Sequence, residues 1–203
     1  MKSLFKKLFS SPDKQVVTVV SGLPRSGTSL MMKMLEAGGL PVVQDGIREA
    51  DKDNPKGYYE FERVKQLDKG DTAWMGEAQG KVVKIISALL KHLPPEYEYR
   101  VIFMRRHMEE ILASQRKMLV HRGEDAAKME DEKMAELFEK HMAQIFAWLE
   151  QQPNIRLMQV HYSDLLADPA TQARNVNEFL DNRLDVQKMG QMVDPNLYRN
   201  RKE

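Results

Sequence analysis

Positions 22 to 29 read Gly22-Leu23-Pro24-Arg25-Ser26-Gly27-Thr28-Ser29, directly after the apolar run Val16-Val17-Thr18-Val19-Val20-Ser21. A buried strand running into a glycine-bracketed loop and then a helix is how a chain builds a phosphate cradle. The loop amides and the open N–H groups of the first helical turn converge on one anion, and Gly22 and Gly27 keep side chains out of its way. Their spacing fits the first part of the Walker pattern G-x-x-x-x-G-K-[ST], but Thr28 stands where that pattern has its phosphate-gripping lysine. A nucleotide phosphotransferase relies on that lysine and on magnesium, whereas here the cation, Arg25, lies inside the loop. The loop therefore suits a 5′-phosphate handled without a metal.

A second stretch carries complementary chemistry. Arg100-Val101-Ile102-Phe103-Met104-Arg105-Arg106 reads as an apolar strand leading into a helix, with Ser114 eight residues after Arg106. One segment of this kind can place a hydroxyl beside a fork-shaped cation so that both grip a single phosphate. Taken singly, the two residues would be an ion-paired arginine and a serine bonded to its own backbone.

Together the two stretches resemble the sulfotransferase family, whose first loop is written P-[KR]-S-G-T-[ST]. Pro24 to Ser29 match that motif at every position, and Arg106 with Ser114 match a second pair in type and spacing. The resemblance implies that Pro24, Arg25, Ser26, Gly27, Thr28 and Ser29 hold the 5′-phosphosulfate end of 3′-phosphoadenosine-5′-phosphosulfate (PAPS). It implies that Arg106 and Ser114 hold the 3′-phosphate, with Arg105 as the alternative if the register slips by one. It extends through Asn54-Pro55-Lys56-Gly57-Tyr58-Tyr59-Glu60, Lys81-Val82-Val83-Lys84 and Asp194-Pro195-Asn196-Leu197-Tyr198-Arg199-Asn200-Arg201, which are similar to small bacterial members, and covers nearly the whole chain after residue 15.

The same resemblance supplies a catalytic set: Arg25, Lys84 and Glu60. Lys84 aligns with a lysine that many members keep at the end of the second strand, near the donor; its plainer reading is a solvated strand-end lysine. Cytosolic members carry a histidine base two residues later, where this chain has Ile86. Another branch uses a glutamate roughly thirty residues past the loop, which points to Glu60, with Glu62 as second choice; the plainer reading of Glu60 is a surface glutamate opening a helix. Two further departures stand out: His107-Met108 replaces the usual Asn or Asp and then Pro after the arginine, and the basic glycine-containing closing loop is absent. Tyr198 and Arg199 either take over that closing role by stacking and phosphate contact or belong to a polar tail.

Two other functions fit parts of the pattern. A kinase-like P-loop phosphotransferase shares the glycines and lacks the lysine. A non-catalytic nucleotide-binding domain would keep the cradle, and Ile86 at the usual base position is the residue that speaks for it. His161 and Asp164 suggest a serine triad only until the loop serines are checked, since none sits in a G-x-S-x-G elbow. The five histidines show no metal-ligand spacing, His141 reads as a packing or surface residue, and no metal is expected.

Composition narrows the setting. With 31 basic and 30 acidic residues, nothing global points to nucleic acid, and any positive field must gather locally around Arg25, Lys84 and Arg106. There is no cysteine, so thiolate and disulfide chemistry are excluded, and a cytoplasmic protein is expected. Residues 1–15 form a basic amphipathic tail without the apolar run of a signal peptide; weak membrane-surface contact is one use for it, packing on the domain another. No transmembrane helix is expected. The acceptor that the resemblance implies is a small molecule, a carbohydrate or a lipid head group, with the tyrosines and Trp74 as candidate pocket walls.

The elements that must position these residues follow from apolar patterning. Val16–Ser21 is apolar on both faces, as in a central parallel strand, and its helix presents Leu30, Met31, Met34 and Leu35 before Gly38-Gly39. Further strands are expected over Lys81–Ile86, Val101–Met104 and Ile155–Val160. Helical pieces are expected at Glu62–Asp68 and Ser87–His92, then from Met108 to Gly123, from Asp125 to Gln151, from Ala170 to Leu180 and from Val186 to Val193. The long helix should bury Met134, Leu137, Phe138, Ile145, Trp148 and Leu149. Alternating strands and helices in 203 residues imply one α/β domain over 16–203: an open parallel sheet wound on both faces by helices, of P-loop nucleotide-binding, sulfotransferase/kinase-like architecture.

Overall fold

The structure, a computed structural model, describes residues 16–47, 59–121, 123 and 130–194. Four parallel strands, β1 (Val17–Gly22), β2 (Val82–Lys84), β3 (Tyr99–Arg105) and β4 (Ile155–His161), form one sheet in the order β2-β1-β3-β4. Every residue of β1 is buried, Thr18 and Ser21 included, as befits a valine-rich central strand. Val17 and Val19 point into one core with Val83, Val101 and Phe103. Val20 points into the other with Val82, Ile102 and Met104. The sheet is thus covered on both faces.

Helix α1 (Thr28–Ala37) buries Met31, Met32, Met34 and Leu35 against the second of these cores. On that side lie also α4 (Tyr162–Ala167), α5 (Pro169–Phe179) and α6 (Val186–Gln191), through Leu165, Ala173, Val176 and Met189. The opposite face is closed by α3 (Asp131–Leu149) through Ile145 and Leu149, and by short 3-10 turns over Glu62–Lys69, Met75–Ala78 and Ser87–His92. Helix α2 (Met108–His121) follows β3 and buries Glu110, Ile111, Leu112 and Ser114.

Several expectations shift. The second strand spans three residues rather than six. The helical piece at Glu62–Lys69 is a 3-10 helix, and α4 has no counterpart in the sequence reading. Leu137, expected on the apolar face of the long helix, stands 61% exposed. Trp74 is no pocket wall: it is 2% exposed, donates Nε1 to the Asp71 carbonyl at 3.0 Å and packs edge-on against Phe61. Residues 124–129 at the start of the expected long helix lie outside the described residues.

The chain leaves β1 for β2 on one side and then crosses to β3 on the other. In open α/β sheets ligands bind where strand order reverses, which here is at the carboxyl ends of β1 and β3. Gly22 and Met104 face each other there in register, so the glycine loop and Arg106 leave the sheet side by side.

Candidate active site

Close approach shapes the loop between β1 and α1. A Cβ on Gly22 would stand 2.5 Å from Ser26 Oγ and 2.8 Å from the Met104 carbonyl oxygen. Gly27 lies at φ +101°, and its missing Cβ makes room for the Tyr162 ring. Arg25 itself takes a left-handed backbone, φ +69°, which a non-glycine residue holds only when its surroundings fix it. Two contacts do so: Arg25 Nε donates to Ser114 Oγ at 2.8 Å, and Arg106 Nη1 donates to the Arg25 carbonyl at 3.0 Å. The two sequence stretches, 81 and 89 residues apart at these bonds, meet in one place.

Arg106 is held on further sides. Its Nε donates to Glu110 Oε2 at 2.8 Å in a pair 9% and 3% exposed, and its guanidinium lies 4.5 Å over the Tyr162 ring. Burial pushes the Tyr162 phenol above its ordinary value against the pull of Arg106, so it is a neutral donor at physiological pH. Arg105 turns elsewhere, donating to Gln159 and lying over Phe146, so the fork at the cradle is that of Arg106.

Helix α1 opens at Gly27 with no side-chain cap and no acidic residue in its first turn. Ser26 Oγ is buried and without a hydrogen-bond partner among the described residues. An uncapped helix start beside an orphaned hydroxyl and two arginines is a donor set suited to phosphate. Lys84, at the end of β2, and Glu60 form a separate pair: Nζ lies 3.9 Å from Oε1, with side chains 11% and 19% exposed. Lys65 approaches the other Glu60 oxygen at 4.0 Å. Glu62 pairs with Lys65 at 2.7 Å and is 40% exposed. Ile86 is 48% exposed, beyond β2. Tyr198, Arg199 and Asn54 to Tyr58 lie outside the described residues.

The Sulfotransferase family model matches residues 58–185. The chain belongs to this family. Two solved structures share its fold, each at 16% identity and TM-score 0.53. One is the sulfotransferase domain from the curacin biosynthetic pathway, matched over 88% of this chain and 78% of that one. The other is the sulfotransferase domain from the Synechococcus PCC 7002 olefin synthase, over 94% and 86%. A search of curated proteins found no match.

Sequence reasoning overlooked Glu110 and Tyr162. Glu110 was within reach, since it lies four residues after Arg106 and four, one helical turn, before Ser114. Tyr162 carried no signal, because only the fold sets it against Gly27. Among the described residues, no group of three or more His, Asp or Glu is placed to hold a metal, and no helix is long and apolar enough to cross a membrane.

Proposed function

We propose that this member of the Sulfotransferase family transfers a sulfuryl group from PAPS to a hydroxyl or amine of a small-molecule, carbohydrate or lipid acceptor in the cytoplasm. The observation that carries the reading is the meeting of Arg25 with Ser114 and Arg106 at 2.8 and 3.0 Å. It makes one continuous anion-binding surface of the glycine loop and the β3–α2 junction. PAPS, when bound, supplies the sulfuryl group. Residues 24–29 hold its 5′-phosphosulfate on loop amides and the α1 N-terminus, and Arg106 and Ser114 hold its 3′-phosphate.

The reaction breaks the bond between sulfur and the bridging phosphate oxygen and forms one from sulfur to the acceptor. The electron pair goes to the phosphate, where Arg25 and the helix start already favour negative charge. Lys84 balances charge on the transferring group, and Glu60 takes the acceptor's proton.

Calorimetry tests the nucleotide half. The product, 3′,5′-bisphosphoadenosine, should bind at least about 10-fold more tightly than AMP, which lacks the 3′-phosphate. Arg106→Lys keeps the charge beside Glu110 and loses the fork, so it should weaken the bisphosphate about 10-fold and AMP by less than about 2-fold. Equal affinities for the two nucleotides would remove the 3′-phosphate site.

A further inference from the structure

The segment that carries Glu60 is tied down at both ends. Before it, Tyr59 takes a left-handed backbone, φ +52°, a conformation in which an aromatic residue is strained. Its hydroxyl donates to Glu36 Oε2, in the last turn of α1, at 2.7 Å. After it, the Glu62 N–H donates to Asp45 Oδ2 at 2.6 Å, while the Asp45 N–H donates to the Glu60 carbonyl at 3.3 Å. Asp45 is itself anchored: the Ile47 N–H donates to its Oδ1 at 3.0 Å. Two residues upstream, Val43 N–H donates to the Val82 carbonyl of β2 at 2.8 Å, and Val82 N–H donates to the Pro41 carbonyl at 2.8 Å. β2 is the strand that ends in Lys84.

We propose that Asp45 and the Tyr59–Glu36 pair are positioning residues that hold the Glu60 carboxylate against the Lys84 ammonium. The proposal rests on the reading of Glu60 as the acceptor's base. Asp45 refers the Glu60 backbone to β2, and hence to Lys84. Glu36 refers it to α1, and hence to the phosphate cradle that the same helix opens. A base and a donor fixed to the same two elements keep one separation, which proton transfer at the moment of sulfuryl transfer requires. Burial raises the Asp45 carboxyl, but the N–H groups of Glu62 and Ile47, its own amide and the Lys65 charge outweigh it and hold the group below the usual carboxylate range. Asp45 therefore stays an anion, and a strong acceptor, at neutral pH.

Crystal structures of Asp45→Ala and Tyr59→Phe test the placement, and turnover of PAPS to 3′,5′-bisphosphoadenosine with 2-naphthol present, which counts transfer to naphthol or to water, tests its consequence. In both variants the Glu60 carboxylate should leave Lys84. Turnover kcat should fall about 10–100-fold with the KM for PAPS within about 2-fold, and Glu36→Gln, which keeps an acceptor for the Tyr59 hydroxyl, should restore most of the rate lost in Glu36→Ala. A Glu60 carboxylate still within 4 Å of Lys84 in both crystals would overturn the proposal, and so would parental turnover in both variants where Glu60→Gln is slow. Parental turnover in Glu60→Gln would instead sink the reading of Glu60 as the base. The crystals would then still decide whether Asp45 and Tyr59 hold it.

Discussion

A side chain at position 27 would place its Cβ 2.5 Å from Cδ2 of Tyr162, on a backbone held at φ +101°, so space and conformation demand glycine independently. Gly27→Ala should therefore cost about 2–4 kcal/mol of stability, combining overpacking with a left-handed alanine. A urea midpoint equal to that of the parent protein would show that Tyr162 is not seated there. The ring it displaces is the one beneath Arg106, so the same variant should lose affinity for the bisphosphate. Glu110 offers a second test of the same neighbourhood. Its pair with Arg106 is almost wholly buried, and Glu110→Ala would leave the guanidinium uncompensated, at a cost of about 3–5 kcal/mol. Glu110→Gln should cost less, because an amide oxygen still accepts from Arg106 Nε. Equal losses in chemical denaturation would mean that the charge, not the hydrogen bond, carries the contact. These dependencies mark what a sequence can and cannot convey. Arg25, Arg106 and Ser114, which the fold brings together, could be singled out as candidates because a motif fixes their order and spacing. Asp45 and Glu36 were not, since they are ordinary acidic residues whose partners, Glu62 N–H and Tyr59 Oη, are chosen only by tertiary contact.

Helix α3 and the turn Ser87–His92 are joined by a hydrogen bond of 2.8 Å between Ser87 Oγ and His141 Nε2. Burial, helped by the Lys91 charge, lowers the pKa of the His141 imidazole, so the folded state prefers it neutral. The unfolded chain takes up this proton first as the pH drops below about 6.5. The contribution to stability is thus complete above that value and is lost as the pH falls toward the folded-state pKa. Urea midpoints measured between pH 7.5 and 5.5 should decline on acidification, and His141→Gln should decline less; an unchanged slope in the variant would assign the effect to another group. The elements themselves were readable to different degrees. β1 announced itself by a valine-rich run apolar on both faces, whereas α5 begins one residue before the expected Ala170, capped by Asp168 Oδ1, which accepts from the Thr171 N–H at 3.0 Å. The stretch Glu62–Lys69 buries only Val64 and Leu67. A single three-residue interval satisfies a 3-10 helix and an α-helix equally, so periodicity could not separate them. α4 was invisible for a related reason: it follows β4 with no glycine or proline between them and buries only Tyr162 and Leu165.

Across the molecule, the order β2-β1-β3-β4 divides the labour of the site. On the proposed reading the β1 and β3 ends carry the loop and the arginine of the nucleotide half, while β2 carries Lys84 and, through Val43 and Asp45, the segment of Glu60. Net charge is only +1 overall, so the proposed polyanionic donor would be recognised by groups converging at the β1 and β3 ends rather than by a general field. Those groups come from β1, α1, β3, α2 and α4, and all of these but α2 also build one of the two cores. A ligand bridging them should therefore stabilise the fold as a whole and not merely order a loop. At 100 times its dissociation constant, a ligand that binds only the folded chain adds about 2.7 kcal/mol. For a domain of this size that is a rise of about 5–10 °C in Tm. Thermal unfolding with saturating 3′,5′-bisphosphoadenosine should show this single, cooperative upward shift, and Arg106→Lys should need about 10-fold more ligand to reach it. If the bisphosphate raised Tm no more than an equal concentration of AMP did, the loop and the β3–α2 junction would not be acting on one ligand, and the division of the sheet into a nucleotide half and an acceptor half would fall with it.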